Sequence, residues 1–302
     1  MKAVFSAVSK TDLRGLKTLF HYNGFMFKRI YIEITNVCNL SCSFCLKTGR
    51  VPYFMEPGEF RRIAVQARMH TGYLYLHVQG EPFLHPFLDD ILSICDELQF
   101  SVQLVTNGTL LDRHPFLLDH ACLRKISISL QSADFQQAGS LPVYMDSVLS
   151  FSDKSSDRGI YTELRFWRSD ELQKESGSYC LEQIKEQYKL HETERTNSYR
   201  LKERLFLSFA NDFEWPTASS SSNEEVSGTC LGARQQLAIL SDGTVVPCCL
   251  DAGGKVNLGN LHENSLDEII QGSRCQELIR QFQTHRIREP FCRNCTFRKR
   301  FG

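Results

Sequence analysis

Three thiols stand close together near the start of the chain. Cys38, Cys42 and Cys45 lie in NVCNLSCSFC, a C-x3-C-x2-C spacing with an aromatic residue, Phe44, directly before the last cysteine. Twelve of the 302 residues are cysteine. At that frequency chance yields this spacing roughly 0.02 times per chain, so the run calls for a chemical reading. A 4Fe–4S cluster is normally closed by four cysteines. Three leave one iron free for a further ligand, as a catalytic metal site keeps one position open. Bacterial ferredoxin runs have the order C-x2-C-x2-C-x3-C and do not fit.

A second group lies toward the C terminus: Cys230, then after seventeen intervening residues Cys248, and Cys292-x2-Cys295. QLAIL and TVVPCC flank Ser241-Asp242-Gly243 and read as a hairpin. Four thiolates from a hairpin plus a C-x-x-C can bind zinc as a ribbon, or they can close an iron–sulfur cluster. Cys249 competes with Cys248; neighbours in a strand point to opposite faces, so only one of them serves. Cys95, Cys122, Cys180 and Cys275 fall in apolar or helical patterns and read as packing residues.

The elements that must position these groups alternate. From residue 28 to about 209, KRIYIEIT, YLYLHVQG, SVQLVTNG, RKISISLQ, YTELRFWR and LFLSF read as strands. Helices are expected near 58–69, 86–97, 141–152 and 178–197, with a short one between the third and fourth strands. Strands alternating with helices argue for parallel βαβ units, here six where a closed barrel needs eight. Each strand has an apolar face, such as Ile30, Ile32 and Ile34, for the helices to cover. The opposite face is polar: Tyr31, Glu33 and Thr35; Tyr75, His77 and Gln79; Ser127, Ser129 and Gln131; Glu163, Arg165 and Trp167. A closed barrel fills its interior with branched apolar residues. A polar interior fits an open barrel holding a polar ligand. After Phe209, NDFEWPTASSSSNEEVSG reads as a connection. Ser265-Leu-Asp-Glu268 is a capping box opening a helix to about Phe282. The division is therefore an N-terminal extension over 1–27, a core over 28–212 and a small hairpin-and-helix domain over 213–302.

Composition narrows the partners. Lys and Arg (35) balance Asp and Glu (35), which argues against a nucleic-acid or anionic-membrane surface. MKAVFSAVSKTDLRGL lacks the apolar centre of a signal peptide, and no run approaches the ~18 apolar residues of a membrane helix. A reducing cytoplasmic setting is expected, where clustered cysteines bind metal.

The three-cysteine run resembles the signature of the radical S-adenosylmethionine (SAM) enzymes. In that family the free iron of a 4Fe–4S cluster chelates SAM, and reductive cleavage yields a 5′-deoxyadenosyl radical that takes a hydrogen from substrate. The resemblance implies the fold, a partial (βα)6 TIM-like barrel of the α/β class, and places the site at the strand C-terminal ends. Gln79-Gly80-Glu81-Pro82, after the second strand, resembles the family's GGEP segment, whose backbone and carboxylate hold the SAM amino group; Gln79 replaces its first glycine. Thr106-Asn107-Gly108 resembles the ribose-contacting segment, and Ser129 lies where relatives place a serine near the SAM carboxylate. Phe44 belongs with these cofactor-binding residues. The C-terminal cysteines and LGNLHENSLDEII resemble the SPASM domain in its short form, the twitch domain, which implies a second, auxiliary 4Fe–4S cluster on Cys230, Cys248, Cys292 and Cys295.

The function this implies is a radical SAM oxidoreductase oxidising a C–H bond in a polar small molecule. The alternatives are modification of a peptide or protein, and a non-catalytic iron–sulfur or zinc scaffold. An external electron donor such as flavodoxin or ferredoxin is implied. Glu163 and His77 are candidates to take the proton released on oxidation; Arg165 suits a clamp on anionic groups. A bland reading has Glu163 and Arg165 as an internal ion pair, supporting each other or the SAM carboxylate.

Overall fold

The computed structural model describes residues 27–114, 116–135, 140–167, 175–190, 197–211, 214–216 and 225–301. Six parallel strands stand side by side in chain order: β1 (Arg29–Ile32), β2 (Tyr73–Tyr75), β3 (Ser101–Thr106), β4 (Leu123–Ser129), β5 (Tyr161–Trp167) and β7 (Leu205–Ala210). They are the six strands read from the sequence, and they form the open, barrel-like sheet expected. Alternation gives each an apolar face: Ile30, Leu74, Val102, Ile126, Leu164 and Leu207 are all at most 1% exposed. That face is covered by helices α1 (Pro57–Arg68), α2 (Leu88–Glu97), α3 (Leu141–Asp157) and α4 (Glu175–Tyr188). In α1 the buried set includes Phe60, Ile63, Ala64 and Ala67; in α2 it includes Leu88, Ile91, Leu92 and Cys95. Both follow the i, i+3, i+4, i+7 spacing of a helix lying on a sheet. Cys95, Cys122, Cys180 and Cys275 are buried packing residues, as expected. No helix among the described residues is long and apolar enough to cross a membrane.

Several elements depart from expectation for local reasons. The helix expected from Pro86 begins at Leu88. Between β3 and β4 there are 3-10 turns at Leu111–Arg113 and Leu117–Asp119 instead of a helix. The helix expected to reach 197 stops at Tyr188; Lys189 enters the left-handed region at φ +51°, which ends a helix. Residues 191–196 lie outside the described set, as do 1–26 of the expected extension and the serine run. Ser198–Arg200 forms β6, antiparallel to β7 at the sheet edge. The capping box at Ser265 is present, but its helix is divided. Gly272 is extended (ψ 148°) and separates α5 (Leu266–Gln271) from α6 (Ser273–Gln283).

The C-terminal hairpin is not a pendant. Strand β9 (Gln236–Ile239) pairs parallel with β1, from Arg29 opposite Gln236 to Ile32 opposite Ile239. Strands β10 (Thr244–Val246) and β11 (Gly259–Asn260) follow antiparallel, completing a sheet of ten strands. The sheet thus runs across the boundary near 212 suggested by composition. A second, two-stranded sheet joins β8 (Val226–Ser227) to β12 (Arg286–Ile287). Helices reinforce the seam: the Leu266 amide donates to Gln66 Oε1 at 2.8 Å, and His70 Nε2 lies 3.1 Å from Asp267 Oδ1.

Burial pushes the His70 imidazole below its ordinary 6.5, against the pull of Asp267. The folded chain then binds fewer protons than the unfolded one just below that value. This share of stability is complete above about 6.5 and is lost as the pH falls. We predict that His70→Gln flattens the decline in urea midpoint between about pH 7 and about pH 5.5. An undiminished decline would assign the acid sensitivity to other groups.

Candidate active site

The cysteine loop leaves the C-terminal end of β1 and is pinned as a closed excursion. Thr35 bridges to Phe54, its Oγ1 donates to the Tyr53 carbonyl at 2.8 Å, and Met55 N donates to Ile34 O. Asn36 exchanges two 2.8 Å bonds with the returning strand, to Val51 O and from Tyr53 N. Within the loop the Cys45 amide donates to Cys42 O at 3.2 Å, and the Cys38 thiol accepts from Leu40 N. Burial, then the charges of Cys38 and Cys45, push the Cys42 thiol up to about 12. Cys38 is raised by burial and feels Cys45. Three thiols that disfavour one another's ionisation are a poor place for free thiolates and a favourable one once a cationic centre lies among them. The donor set therefore fits an iron–sulfur cluster.

A buried carboxylate that sequence reading left among the polar-face residues holds this end together. Glu33 is fully buried. Its Oε1 accepts from Arg50 Nη2 at 2.6 Å and from Gln79 N at 3.1 Å; its Oε2 accepts from Ser241 N at 3.0 Å. The cysteine loop, the β2 end and the hairpin turn meet on that one group.

The segment after β2 presses against the cysteine loop. Gly80 has φ +76°, and a Cβ there would stand 2.4 Å from Thr35 O, so only glycine fits. Glu81 N donates to Val37 O at 2.8 Å. The Glu81 carboxylate turns inward: it accepts from Phe83 N (3.0 Å), Thr106 Oγ1 (2.7 Å) and Asn107 N (2.7 Å). Burial raises it to about 7 against those three donors. Its partners here are all the chain's own, so it braces β2 against β3, and Pro82 then opens a 3-10 turn. Asn107 Nδ2 reaches Asn39 Oδ1 at 2.9 Å and Cys38 Sγ at 3.8 Å. Gly108 (φ +78°) sits where a Cβ would be 2.9 Å from Ile128. The structure thus gathers Cys38, Gly80, Glu81, Thr106, Asn107 and Gly108 at one end of the barrel. Ser129 faces the lumen and accepts from Arg165 Nη2 at 2.9 Å. The Phe44 ring packs edge-on against Trp167 at 4.8 Å, and its carbonyl accepts from Trp215 Nε1 at 2.8 Å. No motif pointed to Trp215, which lay in the expected connection.

The lumen residues differ from the bland reading. Glu163 pairs with Lys125 at 2.8 Å and accepts from Ser127 and Ser208. Burial opposes its ionisation, but these partners win and bring it down to about 2. It is a fixed carboxylate with little capacity to take a proton near neutral pH. Burial and the Arg165 cation lower His77 to about 3, so it is neutral. Neither His77 Nδ1 nor Arg165 Nε has a hydrogen-bond partner among the described residues.

The second cysteine set lies at the opposite end of β1. Cys248 follows β10, Cys292 lies in α7 (Pro290–Arg293), and Cys295 N donates to Cys292 O at 3.3 Å. Burial raises all four thiols, and their charges reach one another: Cys230 feels Cys295, Cys248 feels Cys249 first and then Cys230 and Cys292, and Cys292 feels Cys230 and Cys295. By the same donor chemistry they fit a cluster. Cys249 also lies near Cys230, and it packs with Tyr31, Ala238, Leu240 and Val246. Among the described residues no three His, Cys, Asp or Glu side chains are drawn together to hold a single metal ion.

We predict that Glu33→Ala, which strands the Arg50 guanidinium and two amides, costs about 3–5 kcal/mol of stability. It should also lower the iron retained by Cys38, Cys42 and Cys45. Wild-type stability and iron content in that variant would refute the bracing role.

Two family models match the chain: the radical SAM superfamily over residues 32–148, and SPASM, an iron–sulfur cluster-binding domain, over residues 230–296. A probable GTP 3′,8-cyclase of Methanococcus maripaludis (strain C5) is 30% identical over 136 residues, 43% of this chain and 45% of that protein. A GTP 3′,8-cyclase of Staphylococcus carnosus is 25% identical over 155 residues, 47% and 46% of the two. The chain therefore matches less than half the length of these relatives. Among solved structures, BtrN in an open conformation aligns with TM-score 0.51 and 16% identity, covering 90% of this chain and 94% of that one. SuiB of Streptococcus suis bound to the precursor peptide SuiA aligns with TM-score 0.58 and 15% identity, covering 99% and 80%. Those identities establish shared fold alone. The two matched domains, each containing one of the cysteine sets, make this chain a radical SAM enzyme with a C-terminal SPASM-type iron–sulfur domain, using 4Fe–4S clusters and SAM.

Proposed function

We propose that this enzyme is an oxidoreductase acting on a C–H bond of a polar small molecule held in the barrel lumen. The observation that carries the reading is the pair of unsatisfied polar atoms there, His77 Nδ1 and Arg165 Nε. Buried polar groups are nearly always partnered, so these two await a ligand. Tyr31, Ala238, Leu240 and Val246 pack as a separate small apolar cluster, with the Tyr31 ring 5.8 Å from that of His77.

Cys38, Cys42 and Cys45 would hold the first cluster, with SAM on its open iron, against the backbone of Gly80 to Pro82 and beside Asn107 and Ser129. Cys230, Cys248, Cys292 and Cys295 would hold the second, leaving no open iron. When bound, these groups supply a carbon radical for hydrogen abstraction and a site for exchanging one electron, with net oxidation at the substrate carbon. Arg165, steadied by Ser129, clamps an anionic group. The neutral His77 orients a hydroxyl or amino group by hydrogen bonding. Glu163 stays ionised, held by Lys125, Ser127 and Ser208.

Anaerobically reconstituted protein should hold about eight irons. Replacing Cys38, Cys42 and Cys45 together by Ala should remove about half of them and abolish formation of 5′-deoxyadenosine from SAM; persistent formation would sink the reading. Loss of Cys292 or Cys295 should lower the product formed per 5′-deoxyadenosine. A panel of amino sugars, sugar phosphates and amino acids should contain a compound that raises 5′-deoxyadenosine formation. If only peptides raise it, the substrate is a peptide.

A further inference from the structure

A buried positive charge sits beside the second cysteine set without an acid to balance it. Arg298 lies in the closing 3-10 turn, Thr296–Phe301, and is only 6% exposed. A guanidinium does not shed its charge in a protein, and arginine is almost never fully buried unless it is paired. Yet the acceptors that Arg298 meets among the described residues are neutral carbonyls. Its Nε donates to Cys292 O at 3.0 Å, its Nη1 to Ser227 O at 3.2 Å and its Nη2 to Arg293 O at 3.4 Å. The acids of this region are engaged elsewhere. Glu289 pairs with Arg274, Glu225 with Arg286 and Arg288, and Asp251 accepts from the Lys255 and Val256 amides. The three carbonyls fix where the charge lies. Ser227 stands three residues before Cys230, Cys292 belongs to the set, and Arg293 lies between Cys292 and Cys295. The guanidinium is thus gathered among the segments that carry three of the four thiols. Burial raises Cys230 and Cys295 above all else, and the Arg298 charge acts on both in the opposite sense. Cys292 is raised by burial first and then by Cys230, with the carboxylates of Glu289 and Asp251 acting the same way.

We propose that Arg298 is the internal counter-charge of the second cluster and raises its reduction potential, so that this site accepts an electron more readily. The proposal rests on the four-cysteine reading above and on one-electron exchange at that site. Four thiolates outweigh the positive charge of an iron–sulfide core, so the loaded set is an anion. It becomes more negative on taking an electron. A fixed cation therefore stabilises the reduced form more than the oxidised one. Cluster potentials follow net charge, hydrogen bonds to sulfur and exposure, and a cation held out of water acts strongly and is little screened by salt. The electron balance is simple. A substrate carbon radical gives up one electron there and one proton to water, and an external one-electron carrier removes the electron afterwards. Loss of the Arg298 charge lowers the potential, and a positive charge supplied by another side chain recovers it.

The test is a redox titration of the second set alone. The full-length chain with Cys38, Cys42 and Cys45 replaced by Ala is reconstituted anaerobically, and reduction is followed by visible absorbance and electron paramagnetic resonance. Two substitutions are compared in that parent. Arg298→Gln keeps amide donors for the carbonyls and removes the charge; Arg298→Lys keeps the charge and gives up the guanidinium fork. At the parental midpoint, the ratio of reduced to oxidised protein should fall at least about tenfold in Arg298→Gln, about 59 mV for a one-electron couple, and stay within about threefold in Arg298→Lys. An unchanged potential in Arg298→Gln overturns the proposal. Equal falls in both variants assign the effect to hydrogen bonding and packing, and overturn it too. Iron content decides the remaining cases. Loss of iron from Arg298→Gln alone shows that the charge is needed to seat the cluster, and supports the proposal. Loss from both variants, or from Arg298→Lys alone, makes Arg298 a brace for the turn and overturns it. If the parent itself holds zinc or no iron, the four-cysteine cluster reading has failed before any titration, and the proposal falls with it.

Discussion

The geometry of the whole site hangs on one buried carboxylate. Glu33 has no access to solvent, and an isolated charge there would be expensive. It is tolerated because three separate pieces of chain bring donors to it: Arg50 from the return of the cysteine loop, Gln79 from the end of β2, and Ser241 from the C-terminal hairpin. None of the three can move without leaving the carboxylate short of a partner. The charge thus converts a desolvation cost into a positional constraint, and it adds to the β1–β9 pairing in registering the region of the first cysteine set against that of the second.

The lumen is arranged on a different principle. Its charges are mostly spent locally: Glu163 on Lys125 and two serines, Glu81 on the amides and hydroxyl that lock β2 to β3. Among the atoms of the described residues left without a partner are the Arg165 Nε, the His77 Nδ1 and the Gln131 side-chain oxygen. A site that neutralises most of its own charge and leaves a few directed groups open selects by geometry more than by field strength.

The chemistry-bearing residues were legible in the sequence because their signals are local. The C-x3-C-x2-C run, the strand-ending GEP and TNG segments and the period-two alternation all sit within a few residues. The six strands followed from that alternation, and the capping box at Ser265 marked its helix start. What the sequence concealed was partnership at a distance. Glu81 reads as a ligand-facing carboxylate, and only the folded chain turns it onto Thr106 and Asn107. Glu163 and Arg165 look like partners at i, i+2 on one face, yet Lys125 on the neighbouring strand claims the carboxylate. Strand alternation was expected to separate Cys248 from Cys249, but β10 ends at Val246 and both cysteines lie in the bend and turn beyond it. Gly272 was invisible as a break because a glycine costs only about 1 kcal/mol in a helix, while here it adopts an extended conformation.

The pairing of β9 with β1 has a bearing on how the chain comes to be folded. Strand β1 is made early, and its outer row of amides and carbonyls has no partner until β9 follows about 200 residues later. At a synthesis rate of roughly 5–20 residues per second, that edge waits on the order of ten seconds or more. An unpaired strand edge is a template for other chains. The hairpin that carries the second cysteine set therefore also acts as a late-arriving guard against self-association. A nascent chain stalled before it would be exposed to aggregation through β1, whatever the state of its metal sites.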